Sequence, residues 1–257
     1  MAKNKLTKFA EMAKYENVFQ TPFEKLRDEG FPLKGKWNTF FKNDNPIILE
    51  LGCGKGEYTI GLAREHNNKN FIGIDIKGAR IWSGATQAIN EKLNNVAFIR
   101  THVELINSFF SDNEISEIWI TFPDPQMKKT NKRLTSTRFM KEYSQILKKD
   151  GLIHLKTDSN FLYSYTKEMI KENKLQVLID TQNLYNSSIK REIPNIQTYY
   201  EQQWLDRGLN IKYIQFLCPK DKEWIEPEVE IEKDAYRSFG RSRRIQSSKD
   251  SEHLSLE

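Results

Sequence analysis

Short apolar runs alternate with amphipathic stretches of helical length from Pro46 onward. Five runs have the pattern of buried strands, namely Ile47–Leu51, Phe71–Ile76, Val96–Ile99, Ile118–Phe122 and Leu152–Leu155. The stretches between and after them predict helices over Tyr58–Glu65, Ala79–Leu93, Thr137–Leu147 and Phe161–Asn173. Strands separated by helices indicate βαβ units around a parallel sheet. Two late strands are predicted, of which the last is a candidate antiparallel edge (Val177–Ile179 and Ile211–Cys218). The predicted fold is therefore α/β, with helices on both faces of a mostly parallel sheet.

The two ends of the chain lack this pattern. Residues 1–45 are basic and aromatic with no strong period, and we expect a basic N-terminal arm that packs conditionally or is disordered. Residues 46–225 form the predicted domain. Residues 226–257 are acidic and then polar, which predicts a tail that is largely disordered from residue 232 onward.

Composition excludes several classes of protein. The 257 residues, 38% of them hydrophobic, suffice for one sizeable core. A mean hydropathy of −0.70 and the lack of a long apolar run exclude a membrane-spanning protein. Two cysteines and four scattered histidines make neither a disulfide scaffold nor a metal-ligand pattern. The N-terminus has no signal-peptide pattern, so we expect a cytoplasmic protein.

A glycine-rich loop follows the first predicted strand, over Glu50–Gly56. Its spacing is E-x-G-x-G-x-G, whereas a dinucleotide site requires G-x-G-x-x-G. The Glu50 carboxylate would repel a pyrophosphate but attract an ammonium group. Gly52 and Gly54 allow a ligand to approach the backbone closely. The loop therefore favours S-adenosylmethionine, which carries an amino-acid end and no phosphate.

Asp75 ends the second predicted strand, about 20 residues beyond the loop, which is the interval expected for an acid that binds a ribose. Taken alone, the glycine-rich loop could be only a tight strand–helix turn, and Asp75 could be only a helix-capping residue. Their occurrence together in the first βαβ unit favours the cofactor site.

A second candidate site follows the fourth predicted strand. Pro123 and Pro125 flank Asp124 and end that strand, so Asp124 is expected at the carboxyl end of the sheet, in the crevice that holds the cofactor. Residues 124–150 contain eight basic and three acidic residues, a net charge of +5 that equals that of the whole chain. This basic segment, with Lys128, Lys132 and Arg133, predicts contact with a polyphosphate backbone, although a charge run is usually only a solvated helix face.

These residues carry a resemblance to a known family. Six features occur in a fixed order along the chain: the loop Glu50–Gly56, Asp75, Phe-Pro-Asp-Pro with Lys128, Asn-Lys-Arg-Leu, Lys-Thr-Asp and Thr-Tyr-Tyr-Glu. Over residues 46–218 the chain resembles the bacterial tRNA (guanine-N7-)-methyltransferases. The resemblance implies a Rossmann-like class I methyltransferase fold and methyl transfer from S-adenosyl-L-methionine to N7 of the guanine at tRNA position 46.

The resemblance also implies roles for individual residues. Asp124 matches the catalytic or substrate-orienting aspartate. The cofactor-binding positions correspond to Glu50, Gly52, Gly54, Asp75 and Asp124. Substrate positions correspond to Lys128, Asp158, Thr198, Tyr199, Tyr200 and Glu201. Asp158 has a second interpretation, as the N-cap of the following helix.

Two positions depart from the family pattern. The family's adenine-reading Asp after the third strand is absent, and Thr101 or His102 takes its place; we assign Thr101 to the cofactor site. Gln126 replaces the usual Trp after Phe-Pro-Asp-Pro. Adjacent Tyr199 and Tyr200 are able to stack on a base, although in an extended segment one of them is expected to pack inward.

The activity expected from the sequence has rivals. A methyltransferase that acts on another RNA or a small molecule would share the fold and cofactor. An NAD-dependent oxidoreductase is disfavoured by the glycine spacing and by Glu50, and a non-catalytic RNA-binding protein would have a vestigial pocket. The sequence leaves the oligomeric state open, whether monomer or homodimer.

Overall fold

The computed structural model describes residues 2–191 and 193–235. The described strands are β1 (Val18–Phe19), β2 (Ile47–Leu51), β3 (Asn70–Asp75), β4 (Val96–Arg100), β5 (Ile115–Thr121), β6 (Leu147–Thr157), β7 (Val177–Thr181) and β8 (Lys212–Cys218). The described α-helices are α1 (Ala2–Met12), α2 (Phe23–Glu29), α3 (Trp37–Phe41), α4 (Glu57–Glu65), α5 (Gly78–Asn90), α6 (Thr137–Ile146), α7 (Asn160–Glu172) and α8 (Tyr199–Leu205). Short 3-10 helices span Val103–Ser108, Thr130–Lys132, Leu184–Asn186 and Ser188–Arg191.

All eight described strands form one sheet in the order β1-β4-β3-β2-β5-β6-β8-β7. The strands from β1 to β6 are parallel to one another, whereas β8 is antiparallel to both β6 and β7. The predicted fold class is therefore confirmed. The antiparallel strand β8 lies next to the edge of the sheet, and β7, which pairs only with β8, occupies the edge itself.

Alternation along the buried strands supplies the two faces of the sheet with apolar side chains. In β2, Leu49 and Leu51 belong to a core cluster shared with α2, α3, α6 and α7, while Ile48 belongs to a second cluster shared with α1, α4 and α5. Strands buried on both faces are typical of parallel sheets covered by helices. The reversal of strand order between β2 and β5 leaves a crevice at the carboxyl ends of these strands, and ligands of open α/β sheets bind in such a crevice. We call this end of the sheet the carboxyl edge.

Residues 2–45 pack on the domain and do not form a separate arm. β1 pairs with β4, and Trp37 of α3 is fully buried in the core. Its indole Nε1 donates a hydrogen bond to the Phe109 carbonyl oxygen at 3.1 Å. The segment has no periodic pattern because it contributes isolated buried aromatic residues rather than one long helix.

The described part of the C-terminal segment also packs on the domain. Glu226 accepts hydrogen bonds from the hydroxyls of Thr137 and Tyr165. Asp234 is buried and accepts a hydrogen bond from the Phe161 N–H at 3.0 Å, at the start of α7. The expectation of disorder from residue 232 is therefore wrong for residues 232–235, and residues 236–257 lie outside the described residues.

No helix in residues 2–191 and 193–235 is both long and apolar enough to cross a membrane.

Candidate active site

The glycine-rich loop joins β2 to α4 at the carboxyl edge. Gly52, Gly54 and Gly56 have φ angles of 75°, 58° and 74°, in the left-handed region that glycine adopts without steric cost. The N–H groups of Gly52 and Cys53 donate to the Ile74 carbonyl oxygen, which fixes the loop against β3. A Cβ atom on Gly52 would meet no atom within 4 Å, so the space beside the loop is open to a ligand.

Asp75 ends β3 directly beside this loop. One carboxylate oxygen accepts from the Gly54 N–H at 2.9 Å, and the other accepts from the Lys77 N–H at 2.7 Å. A carboxylate has about four lone-pair positions, so each oxygen retains the capacity to accept a further hydrogen bond. This arrangement suits the predicted binding of two ribose hydroxyls.

Glu50 is placed differently from the prediction. Its side chain is 3% exposed, and its oxygens accept from the Thr59 N–H at 2.8 Å and from the Thr121 hydroxyl at 2.6 Å. The Thr59 hydroxyl donates to the same carboxylate. Burial raises the pKa of Glu50 to about 7, and these hydrogen bonds oppose the rise. Glu50 therefore connects α4 and β5 beneath the loop and does not present a free carboxylate to an ammonium group.

Thr101, which we assigned to the cofactor site, follows β4 and lies beside Asp75. Its N–H donates to the Asp75 carbonyl oxygen at 3.2 Å, and its side chain is half-buried. The adjacent His102 is exposed and caps the 3-10 helix Val103–Ser108. Of the two residues that follow β4 and could take the place of the family's adenine-reading Asp, Thr101 is thus the more enclosed.

Asp124 lies in a constrained turn after β5. Pro123 and Pro125 are buried, whereas Asp124 is exposed. Phe122 has a φ of 48° and Gln126 a φ of 47°, values that are uncommon for residues other than glycine and that cluster at functional sites. One Asp124 oxygen accepts from the Gln126 N–H at 2.9 Å, which leaves the other oxygen of this exposed side chain available to a substrate. Since β5 neighbours β2, this turn lies at the same edge as the glycine-rich loop.

Arg133 is not available to an RNA phosphate, contrary to the prediction. The residue is 7% exposed, and its guanidinium donates to the carbonyl oxygens of Gln126 and Met127, both at 3.2 Å. It also lies over the rings of Phe161 and Tyr165, at 4.7 and 4.4 Å from their centroids. Arg133 therefore holds the turn that contains Asp124 against α7.

The other basic residues of the segment are divided between the two ends of the sheet. Lys128 and Lys129 are exposed next to the Asp124 turn, and Lys132 forms an ion pair with Glu104 at 2.7 Å. Lys148 and Lys149 lie at the start of β6, at the amino end of the sheet, because α6 carries the chain back across the domain. The expected concentration of the whole positive charge beside the site is therefore wrong.

Asp158 follows β6 at the carboxyl edge but is fully buried. Its carbonyl oxygen accepts from the Lys212 ammonium at 2.9 Å. The N-cap of α7 is Ser159, whose hydroxyl accepts from the Leu162 N–H, so the capping interpretation was one residue too early. Asp158 thus belongs to the floor of the site rather than to its open surface.

Thr198 and Glu201 form a capping box at the start of α8. The Thr198 hydroxyl accepts from the Glu201 N–H, and the Glu201 carboxylate accepts from the Thr198 N–H. Glu201 is fully buried and pairs with the ammonium group of Lys156 at 2.8 Å. Both side chains are buried and hold the start of α8, whereas the resemblance implied contact with the substrate.

Tyr199 and Tyr200, between these two residues, are both exposed, so the expectation that one of them packs inward is wrong. Their ring centroids are 5.8 Å apart. The Lys55 ammonium of the glycine-rich loop lies 5.0 Å from the Tyr199 ring, and the Arg80 guanidinium of α5 lies 5.8 Å from the Tyr200 ring. Two aromatic faces bordered by cations therefore flank the loop, an arrangement suited to stacking on unpaired bases.

Sequence reasoning missed the partners that hold these groups. Thr59 and Thr121 satisfy Glu50, and Lys156 pairs with Glu201. The available signal for Lys156 was a lone lysine directly after the apolar run Leu152–Leu155, because a buried charge requires a partner.

Comparisons with known proteins show the family to which this chain belongs. A family model described as putative methyltransferase matches residues 44–214. A tRNA (guanine-N(7)-)-methyltransferase of Bacteroides fragilis (strain YCH46) is 58% identical over 252 residues, which cover 97% of this chain and all of that protein. The enzyme of the same name from Porphyromonas gingivalis (strain ATCC BAA-308 / W83) is 57% identical over 241 residues, covering 92% of this chain and 99% of that protein.

A solved structure shows the same fold at low sequence identity. The 16S rRNA methyltransferase KamB aligns with a TM-score of 0.55 and 9% identity, over 72% of this chain and 93% of that one. The fold brings the open glycine-rich loop, Asp75 and Asp124 to one edge of the sheet. Because the relatives match nearly the whole length of the chain at high identity, the chain belongs to the tRNA (guanine-N7-)-methyltransferase family.

Proposed function

We propose that this chain transfers a methyl group from S-adenosyl-L-methionine to N7 of guanine in tRNA, at position 46. The observation that carries the proposal is the exposed Asp124 carboxylate, held in a rigid turn on the strand next to an open glycine-rich loop. The family membership supplies the reaction, and position 46 comes from the resemblance of the motifs.

The residues of the carboxyl edge fit the cofactor. The space above Gly52 is open, and the Asp75 oxygens retain acceptor capacity for the ribose hydroxyls. Thr101 borders the same space, in the place of the residue that would contact the adenine. S-adenosylmethionine, when bound, supplies a methyl group activated by a sulfonium. The loop and Asp75 therefore serve to bind and orient, and Glu50 serves to hold the loop in shape.

Asp124 acts on the guanine in this proposal. N7 of guanine carries a lone pair, so its reaction requires no general base, and the task of the protein is positioning. The free oxygen of Asp124 accepts from N–H groups of the base, and its negative charge stabilises the positive charge that develops on the purine ring. Arg133 contributes indirectly, because it fixes the backbone of the turn.

The tRNA contacts that we propose lie on both sides of this turn. Tyr199 and Tyr200 stack on bases displaced from the RNA helix. Lys128 and Lys129 bind phosphates. Lys132 also binds a phosphate when its ion pair with Glu104 breaks, which costs little free energy because the pair is near the surface. Because the substrate is a tRNA, we place the enzyme in the cytoplasm.

The experiment is methyl transfer from labelled cofactor to two transcripts of one tRNA, unmodified and with 7-deazaguanosine at position 46. The proposal predicts labelled 7-methylguanosine in the first transcript and no label in the second, because the second lacks the accepting nitrogen. Equal labelling of the two transcripts would assign the activity to another atom or position of the tRNA. Label that enters a small molecule even when ribonuclease has removed the tRNA would assign it to a small-molecule substrate.

A variant pair tests the role of Asp124 in the same assay. Asp124→Ala should lower the rate by roughly 10²-fold or more, while the cofactor affinity measured by calorimetry stays within about twofold. Asp112→Ala, an exposed aspartate before the amino end of β5, is the matched control and should be fully active. A fully active Asp124→Ala enzyme would refute the assignment.

A further inference from the structure

Lys156 is a buried cation with no part in the contacts proposed so far. It is the penultimate residue of β6 and is 1% exposed. Its ammonium group lies 2.8 Å from a Glu201 oxygen and donates to the Ile196 carbonyl oxygen at 3.1 Å. The Tyr58 ring is a further neighbour, with its centroid 5.2 Å away. All of these contacts hold the ammonium group within the protein, so it does not reach an RNA.

The partner of Lys156 is the residue that organises α8. Glu201 closes the capping box with Thr198, and one of its oxygens also accepts from the Tyr185 hydroxyl at 2.6 Å. α8 has only seven residues, and a helix of this length is not stable without tertiary contacts. The ion pair therefore anchors the turn of helix that carries Tyr199 and Tyr200.

Lys156 is also joined to the opposite side of the site through its backbone. Its carbonyl oxygen accepts from the Phe122 N–H at 2.8 Å, where the strained turn before Asp124 begins. One residue thus contacts the turn that presents Asp124 and, through Glu201, the helix that presents the two tyrosines.

We propose that Lys156 is a positioning residue for tRNA: its ion pair with Glu201 sets α8, and with it Tyr199 and Tyr200, beside the glycine-rich loop. Thr198 and Glu201 then act through the placement of α8 and not by contact with the RNA. This inference rests on the proposed function for the identity of the substrate, but the anchoring of α8 can be measured without any substrate.

The test compares Lys156→Met, Glu201→Gln and the double variant. Lys156→Met leaves a buried carboxylate without its counter-charge, so we expect KM for tRNA to rise about tenfold or more, with kcat at saturating tRNA within about threefold. Glu201→Gln keeps an N3 side chain that suits a capping box but leaves the ammonium group unpaired, and it should have the same effect. In the double variant both groups are neutral, and KM should return to within about threefold of the wild-type value.

Two further readouts separate positioning from general damage. Cofactor affinity should stay within about twofold of the wild-type value in all three variants, because the hydrogen bonds of the pair are with Thr198, Tyr185 and Ile196 rather than with Asp75. Hydrogen exchange of the α8 amides should accelerate about tenfold or more in the single variants and recover in the double variant. Lys167→Met, which breaks an exposed ion pair with Asp180, is the control and should change none of these quantities.

Three results would each decide against the proposed role of Lys156. Unchanged α8 exchange in a folded Lys156→Met protein, or a parallel loss of tRNA and cofactor affinity, would overturn the positioning role. A double variant no better than the single variants would overturn it as well. A wild-type protein that does not methylate tRNA would instead refute the proposed function, whereas the exchange result would still decide whether the ion pair anchors α8.

Discussion

Three carboxylates near the carboxyl edge differ in the groups that they are able to reach. Glu50 is buried and its oxygens are taken by two threonines. Asp75 accepts one backbone N–H on each oxygen and keeps further acceptor capacity. Asp124 is exposed, with one oxygen used by its own turn. Burial and hydrogen bonding thus support the proposed roles, in which Glu50 is structural, Asp75 binds the cofactor and Asp124 acts on the base.

The environment of Glu50 predicts a pH-dependent stability. Burial raises the pKa of Glu50 to about 7 from 4.5, so between these values the folded state binds more protons than the unfolded state. The contribution of Glu50 to the free energy of unfolding is therefore complete below pH 4.5 and is lost as the pH rises through about 7. Relative to Glu50→Gln, the wild-type free energy of unfolding should fall by up to ~3 kcal/mol between pH 5 and pH 8.

Urea unfolding of both proteins across this range measures the difference. Glu65→Gln, an exposed position at the other end of α4, controls for the general effect of removing a charge. Wild-type and Glu50→Gln curves that stay parallel with pH would show that the carboxyl is not protonated near neutrality.

Individual side-chain roles were only partly predictable from the sequence. Asp75 and Asp124 were identifiable because each follows an apolar strand in a βαβ series, and that order alone places both at the carboxyl edge. Lys132 and Arg133 look equivalent in the sequence. The rings of Phe161 and Tyr165, distant in the chain, make Arg133 a buried anchor while Lys132 stays exposed.

Among the elements, the N-terminal helices are an integral part of the domain and contribute to both faces of the sheet. α3 buries Trp37 against the 3-10 helix Val103–Ser108 and its neighbours, with the rings of Trp37 and Phe110 stacked at 5.7 Å between centroids. α1 lies on α5, where Glu11 accepts a hydrogen bond from the Trp82 indole at 2.7 Å. Residues 2–45 therefore add strand β1 to the sheet and helices to both of its faces.

This packing predicts that Trp37 contributes strongly to stability. Trp37→Ala should lower the free energy of unfolding by about 3–5 kcal/mol, because it removes a fully buried indole and leaves a cavity. Phe23→Ala is the matched control, since that side chain is 59% exposed, and it should change the value by less than about 0.5 kcal/mol. Equal small effects of both substitutions in chemical denaturation would mean that the segment is a detachable arm.

The central elements were predictable because each of them carries its own periodic signal. The N-terminal segment was not, because its aromatic residues are scattered and are buried only by contact with distant parts of the chain. The same holds for Asp234, whose role as an acceptor at the start of α7 depends on a residue more than seventy positions away. Long-range contacts of this kind leave no local pattern.

In the molecule as a whole, the direction of the chain through α6 decides which cations lie at the carboxyl edge, where we propose that tRNA binds. Lys128 and Lys129 lie at the carboxyl edge, whereas Lys148 and Lys149 lie at the amino end of β6. A count of charges along the sequence does not separate these pairs. The parallel topology does, because α6 runs antiparallel to the strands.

The two lysine pairs predict different salt dependence of tRNA binding. Replacing Lys128 and Lys129 by Gln should reduce the slope of log affinity against log salt by roughly one unit for each lost phosphate contact. Replacing Lys148 and Lys149 by Gln changes the net charge by the same amount and should leave the slope unchanged. Filter-binding titrations at several salt concentrations provide the measurement, and equal slopes for the two double variants would contradict the proposed RNA surface.

The central claim is that the cofactor binds at the carboxyl edge, between the glycine-rich loop and Asp75. The most direct test is a crystal structure of the protein with S-adenosylhomocysteine. We expect density for the ligand above Gly52, with its ribose hydroxyls within hydrogen-bond distance of the Asp75 carboxylate. Density elsewhere, for example in the cavity of about 680 Å³ lined by Trp119 and His154, with the space beside Gly52 empty, would contradict it.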